Sequence, residues 1–374
     1  MLILAAVLAI FVYGIIAAML GTILPELSKR YNLSPKQNGN IAMAQAIGLM
    51  IGSFFVGPLM DVQGKKIGLL LGLGLIAVAL FALRGVKGYG PITAAMLLLG
   101  IGGGAIVTGA NTLPPFIKVE GLTIEGVFNL LNLFFGLGGL VTPLIAANLF
   151  KNNSARLLVF AGSLALVTFA VHSMTEMPGA SGQVAFQASM VTDLLGQRSL
   201  LLLSLILFLY VSCEVGVWNW LARHLIAQGV PEGKALTILS LGFALGLLLG
   251  RVAVSKVLTG VSPENVLAGA AVLMAITTFA MLQSGNPTVA WVLVFLAGVA
   301  MAPVFPTTLG VVNVRFPANA ATATGIAATS GWLGLIVSSP IIGGIAGEDP
   351  KRLRKALLVL PLFSVLMLGA ALAL

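Results

Sequence analysis

Apolar runs about 20 residues long recur along the whole chain, separated by short polar breaks. As a helix rising ~1.5 Å per residue, such a run covers the ~30 Å hydrocarbon core of a bilayer. The runs fall at 2–24, 40–60, 67–83, 91–116, 123–149 and 157–174, and again at 199–221, 235–258, 266–282, 289–311, 320–345 and 353–374. Between the two sets lies a longer, more polar stretch, 175–197, carrying Pro, Gly, Ser and Gln. The pattern predicts an all-α integral membrane protein with twelve transmembrane helices in two pseudo-symmetric six-helix halves, 1–174 and 198–374, joined by a central loop. Composition excludes the soluble alternative: 59% of residues are hydrophobic, 8% are charged and mean hydropathy is +1.08. So few charges could not clothe this much apolar surface in water.

Several function classes drop out at once. The net charge of +9 comes from Lys and Arg scattered through short loops, with no patch of interleaved aromatics, so no nucleic-acid partner is expected. The first run lacks a basic leader and is too long for the apolar core of a signal peptide, so it reads as span one. Cys213 is the single cysteine, which rules out a disulfide framework or a cysteine metal cluster. His172 and His224 lie far apart near span ends, each without a histidine or acidic pair nearby, so no metal site is expected. No phosphate-binding loop, dinucleotide fingerprint or nucleophile elbow is present, and neither an enzyme nor a cofactor is expected. The expected partners are the lipid bilayer and a small molecule, met by a monomer.

Most of the 45 glycines sit inside the apolar runs, as in Gly100 with Gly102 to Gly104, Gly136 with Gly138 and Gly139, and Gly242 with Gly246 and Gly250. Small residues at three- and four-residue spacing let helices approach closely, either as static packing or as contacts that slide during a conformational cycle. Pro58, Pro114, Pro115, Pro143, Pro303, Pro306 and Pro340 lie within runs or near their ends, where proline kinks a helix and frees a carbonyl.

The stretch Gly57-Pro-Leu-Met-Asp-Val-Gln-Gly-Lys-Lys66 falls between spans two and three and resembles the loop signature of the major facilitator superfamily. Its glycines permit a tight turn, Asp61 can cap a neighbouring helix, and Lys65 and Lys66 can face headgroups or a carboxylate. Gly57, Asp61, Gly64, Lys65, Lys66 and Arg251, the last in a G-x-x-x-G-R stretch, are therefore read as conformational residues. Further stretches are similar to one branch, the fucose:proton symporter and glucose/galactose porter family. These are Gly109-Ala-Asn-Thr112, Phe128-Asn-Leu-Leu-Asn-Leu-Phe-Phe-Gly-Leu-Gly138, Phe208-Leu-Tyr-Val-Ser-Cys-Glu-Val-Gly216 and Val304-Phe-Pro-Thr307. The resemblance covers both halves in order and implies a major facilitator fold, alternating access, and a multi-pass protein of the bacterial inner membrane. It also implies two acids used for proton coupling, but Gly21 and Val107 occupy those positions here. A facilitative hexose carrier, or a symporter linked to a proton or sodium through Glu214, is the resulting expectation.

A polar side chain inside a bilayer costs free energy unless it pairs or lines a wet cavity, so each is a candidate for function. The predicted substrate set is Gln45, Asn111, Asn129, Asn132, Glu214, Trp218, Asn219 and Trp332. Amides offer both donors and acceptors, as vicinal sugar hydroxyls require, and indole faces stack on the C–H face of a pyranose. Asn129 and Asn132, three apart, share a helix face. Glu214, the one acid away from loops on this map, has three readings: a ligand acceptor, a structural partner, or a proton site. Packing without a ligand competes at each amide, and the membrane interface competes for the tryptophans. An exporter of drugs or lipids would favour an apolar cavity over these amides, and a non-transporting sensor would be expected to carry a soluble output domain. With both termini cytoplasmic, as the resemblance implies, the outer loops hold more Lys and Arg than the inner ones, Lys29, Arg84, Lys151 and Arg352 among them. That runs against the usual cytoplasmic bias of such residues, and the loop signature sets the orientation instead.

Overall fold

The computed structural model describes residues 1–180, 188–347 and 350–374. Among these, twelve helices are long and apolar enough to cross a membrane, and there is no strand. In chain order, spans one to six are Leu2–Tyr31, Pro35–Gln63, Lys65–Gly85, Tyr89–Phe116, Ile124–Leu149 and Ser154–Met174. Spans seven to twelve are Arg198–Ala227, Glu232–Val257, Pro263–Met281, Pro287–Arg315, Pro317–Ala346 and Arg352–Leu372. The twelve-span expectation holds, and a bilayer explains it: with no water at the core, backbone groups must be satisfied within each helix. Of the predicted central loop, 181–187 lies outside the described residues, and Ala188–Leu195 forms a short helix.

The helices overrun the apolar runs that announce them. Span one continues through Glu26 to Tyr31, because a helix once started extends cheaply through polar residues. Span two begins at Pro35, where Ser34 and Gln37 exchange side-chain and backbone hydrogen bonds in a capping box. Between spans two and three, Gly64 alone breaks the helix, at φ +96°, a conformation that favours glycine. Asp61, expected between spans two and three, is therefore in the last turn of span two and fully buried. Irregular turns follow the proline signals. Ile145–Leu149 after Pro143 is a π turn, and span ten divides into Pro287–Met301 and Val304–Arg315 around Pro303.

The chain forms two compact units. One comprises Met1–Lys118, Leu131–Leu195 and Val312–Thr329; the other comprises Val119–Leu130, Gly196–Val311 and Ser330–Leu374. In the first, spans two and four pack backbone to backbone. A Cβ added at Gly48, Gly52, Gly100 or Gly104 would collide with a carbonyl of the opposite helix. In the second, Gly246 and Gly298 bring spans eight and ten together by the same means, beside a core that includes Tyr210, Phe243, Met274 and Met301. Without a hydrophobic drive between helices in lipid, close approach over small residues supplies the attraction.

Replacing Gly104 by leucine is expected to cost about 3 kcal/mol or more through overpacking. Gly21→Leu, whose added Cβ meets nothing within 4 Å, is expected to be near neutral. Thermal unfolding of the two purified variants in detergent checks this contrast.

Candidate functional site

In the first unit, Asp61 ends span two against the start of span eleven. The first turn of a helix has N–H groups without an intrahelical acceptor. Asp61 supplies two acceptors: its Oδ1 receives the Ala321 N–H at 3.1 Å, and its Oδ2 receives the Thr322 N–H at 2.8 Å and the Thr322 hydroxyl at 2.7 Å. A negative charge there also meets the positive end of the helix dipole. Lys65 is 4% exposed, interacts electrostatically with Asp61, and holds its Nζ 5.0 Å from the centre of the Phe116 ring. Lys66 donates to the Ser173 carbonyl. Gly57 lets the backbones touch, since a Cβ there would strike Ala321 and Thr322; Gly325 does the same against Ser53. The loop signature is thus a capping device for a helix about 260 residues away.

A second polar cluster lies in the same unit. Asn132 donates from Nδ2 to Asn111 Oδ1 at 3.0 Å, and Asn111 donates to the Val107 carbonyl at 2.8 Å. Asn313 Nδ2 donates to the Asn111 carbonyl at 3.1 Å and to Thr324 Oγ1 at 3.0 Å. The three amides and Thr324 are all buried. Gln45 stands apart from this cluster, donating to the Ile16 carbonyl at 3.4 Å.

The other unit holds the remaining predicted residues. Asn129 is fully buried and donates to the Glu125 carbonyl and to Thr307 Oγ1, each at 2.9 Å. Although three residues apart on one helix, Asn129 and Asn132 therefore bond to different partners. Glu214 is half-buried near the middle of span seven, roughly 24 Å of helix from its start. The hydroxyl of Tyr210, one turn earlier, is within electrostatic reach of both Glu214 and the buried Arg251. One turn after Glu214, Trp218 is 37% exposed and meets Phe243 edge-on at 5.2 Å. Asn219 is exposed and donates to Ser339 at 2.8 Å. Trp332 is only 8% exposed, with its ring 6.5 Å from that of Phe305.

Sequence reading passed over Thr322, Thr324, Asn313, Thr307 and Tyr210. Asn313 was detectable as an amide two residues beyond the apolar run of span ten, and Thr307 closes the Val304-Phe-Pro-Thr307 stretch.

Comparison with known proteins agrees with this fold. The sequence pattern described as Major Facilitator Superfamily matches residues 6–339. The glucose/mannose transporter GlcP of Bacillus subtilis is 23% identical over 355 residues, covering 91% of this chain and 86% of that protein. Synaptic vesicle glycoprotein 2A of Rattus norvegicus is 34% identical over 100 residues; the match covers 26% of this chain and only 14% of that relative. Among solved structures, the fucose:proton symporter FucP of E. coli superposes with TM-score 0.83 at 18% identity, covering 99% of this chain and 98% of that one. The human organic anion transporter MFSD10 superposes with TM-score 0.83 at 16% identity, with the same coverage.

Asp61→Ala leaves two backbone N–H groups and a hydroxyl without their acceptor, and is expected to destabilise by about 2–4 kcal/mol. Thr322→Val, which removes one donor, is expected to cost about 1 kcal/mol. Unfolding of the purified variants, followed by tryptophan fluorescence, measures both.

Proposed function

The chain belongs to the Major Facilitator Superfamily, and from that premise we propose that it is a carrier of monosaccharides, a hexose such as glucose, working by alternating access in the bacterial inner membrane. One observation carries the substrate class. Glu214, Trp218 and Asn219 present a carboxylate, an indole and an amide on the open part of a membrane-spanning helix. A carboxylate at mid-membrane demands water or a polar ligand. The trio matches what a pyranose offers: hydroxyls to donate to the carboxylate and exchange bonds with the amide, and a C–H face to lie on the indole. The substrates in the names of GlcP and FucP support the same class.

The open, polar span-seven face favours a sugar over the apolar cargo of a drug or lipid exporter. Gly21 and Val107 leave Glu214, with Tyr210 and Arg251 in reach, as the titratable group available for ion coupling. Facilitative transport needs no such group, and Glu214-linked symport does.

The test is uptake of labelled glucose, galactose and fucose into proteoliposomes, with and without a proton or sodium gradient. Saturable equilibration of one sugar beyond empty vesicles is expected. Glu214→Gln or Trp218→Ala is expected to weaken sugar binding at least tenfold, the effect of losing about 1.4 kcal/mol. No uptake of any of the three by folded protein contradicts the reading.

A further inference from the structure

The Asp61 cap has a counterpart running in the opposite direction. Span four's regular helix ends at Ala110, and the N–H groups of Asn111, Thr112 and Leu113 close back on the carbonyls of Val107, Gly109 and Ala110. The carbonyl of the C-cap residue, Asn111, is buried in protein rather than open to water, and Asn313, 202 residues further along, donates to it. Asn313 belongs to the segment Val312–Thr329, and the same segment carries the N–H groups that Asp61 caps. The segment thus receives a cap for span eleven from span two and returns a cap to span four from span ten.

We propose that Asn313, braced by Thr324 and received by the Asn111–Asn132 amide pair, is a latch that holds 312–329 against the rest of the first unit in the present state of the carrier. The inference rests on the alternating-access reading, because a latch has a role only if the segment leaves. Three features make it a latch rather than general packing. The Asn313 Nδ2 donates to one partner across the segment's boundary and to one within it, Asn111 and Thr324. The Asn111 side chain donates along its own span and accepts from Asn132, which fixes the carbonyl that Asn313 meets. When the segment separates, the caps at Asn111 and at Ala321 and Thr322 are lost together, so opening is all or none. The latch also gives Asn111 and Asn132 a task other than gripping sugar, and leaves ligand recognition to the open face of span seven.

The experiment places spin labels at Gln63→Cys and Ala318→Cys, both exposed and both in the first unit, in a Cys213→Ala background. The distance distribution in proteoliposomes reads whether the segment is seated, and needs no substrate. Asn313→Leu keeps the shape and removes the donor; Thr324→Val removes the brace alone. The long-distance population is expected to rise about tenfold in Asn313→Leu and about threefold in Thr324→Val, as losing one hydrogen bond and weakening it would produce. If Asp61→Ala widens the distance while Asn313→Leu and Thr324→Val leave it unchanged, the latch alone is overturned. If Asn313→Leu fails to fold, an unchanged distribution in Thr324→Val overturns it. If none of the three variants moves the distribution, the latch is overturned, and sugar uptake into the same proteoliposomes decides separately whether the alternating-access reading stands.

Discussion

A carboxylate with no exposed surface inside a membrane protein survives only where the fold surrounds it with donors. Asp61 meets that condition by taking two backbone N–H groups and a hydroxyl from the start of span eleven, with Lys65 adding a charge of opposite sign. The dependence is mutual, because the first turn of span eleven, buried in protein, would otherwise lack acceptors. Much else in the first unit serves this contact. Gly64 turns the chain so that Lys65 follows at once, and Gly57 and Gly325 strip side chains from the surfaces that must touch. Asn313 closes the reciprocal end at span four.

The same economy appears in the helix packing. In lipid, apolar side chains gain little by meeting one another, so spans two and four, like spans eight and ten, adhere through glycine-lined backbone contact and van der Waals attraction. Such contacts lack interlocking side chains. Polar caps at helix ends then confer the specificity that packing alone does not, and hydrogen bonds are features a conformational cycle can make and break as units. The division fits a superfamily whose members have a common architecture and different cargo.

Much of this was legible in the sequence, and the gaps have physical causes. Hydrophobic run length returned all twelve spans, since the bilayer imposes one dimension on every one of them. Edges were less legible, because a helix ends where its caps lie, not where hydrocarbon does: Asp61 looked like a loop residue and is helical. That Asp61 could cap a neighbouring helix could be read from its residue type. That the helix would be span eleven could not, because nothing local specifies a partner about 260 residues away. Asn111 and Asn132 stood out as buried amides, but Asn313 escaped because the apolar run of span ten stops at 311. Trp332, expected to stack on a ligand, is nearly covered beside Phe305, and its surroundings depend on packing that no periodicity encodes.

The central claim is that Asp61 caps span eleven in one state of the proposed transport cycle. Backbone hydrogen exchange at Ala321 and Thr322 in proteoliposomes tests it most directly, because those two N–H groups are the ones the carboxylate holds. The account predicts slow exchange at both without sugar, and faster exchange in the presence of a sugar that the proteoliposomes take up. Fast exchange at both sites without sugar, at the rate of an uncapped helix start, would contradict it.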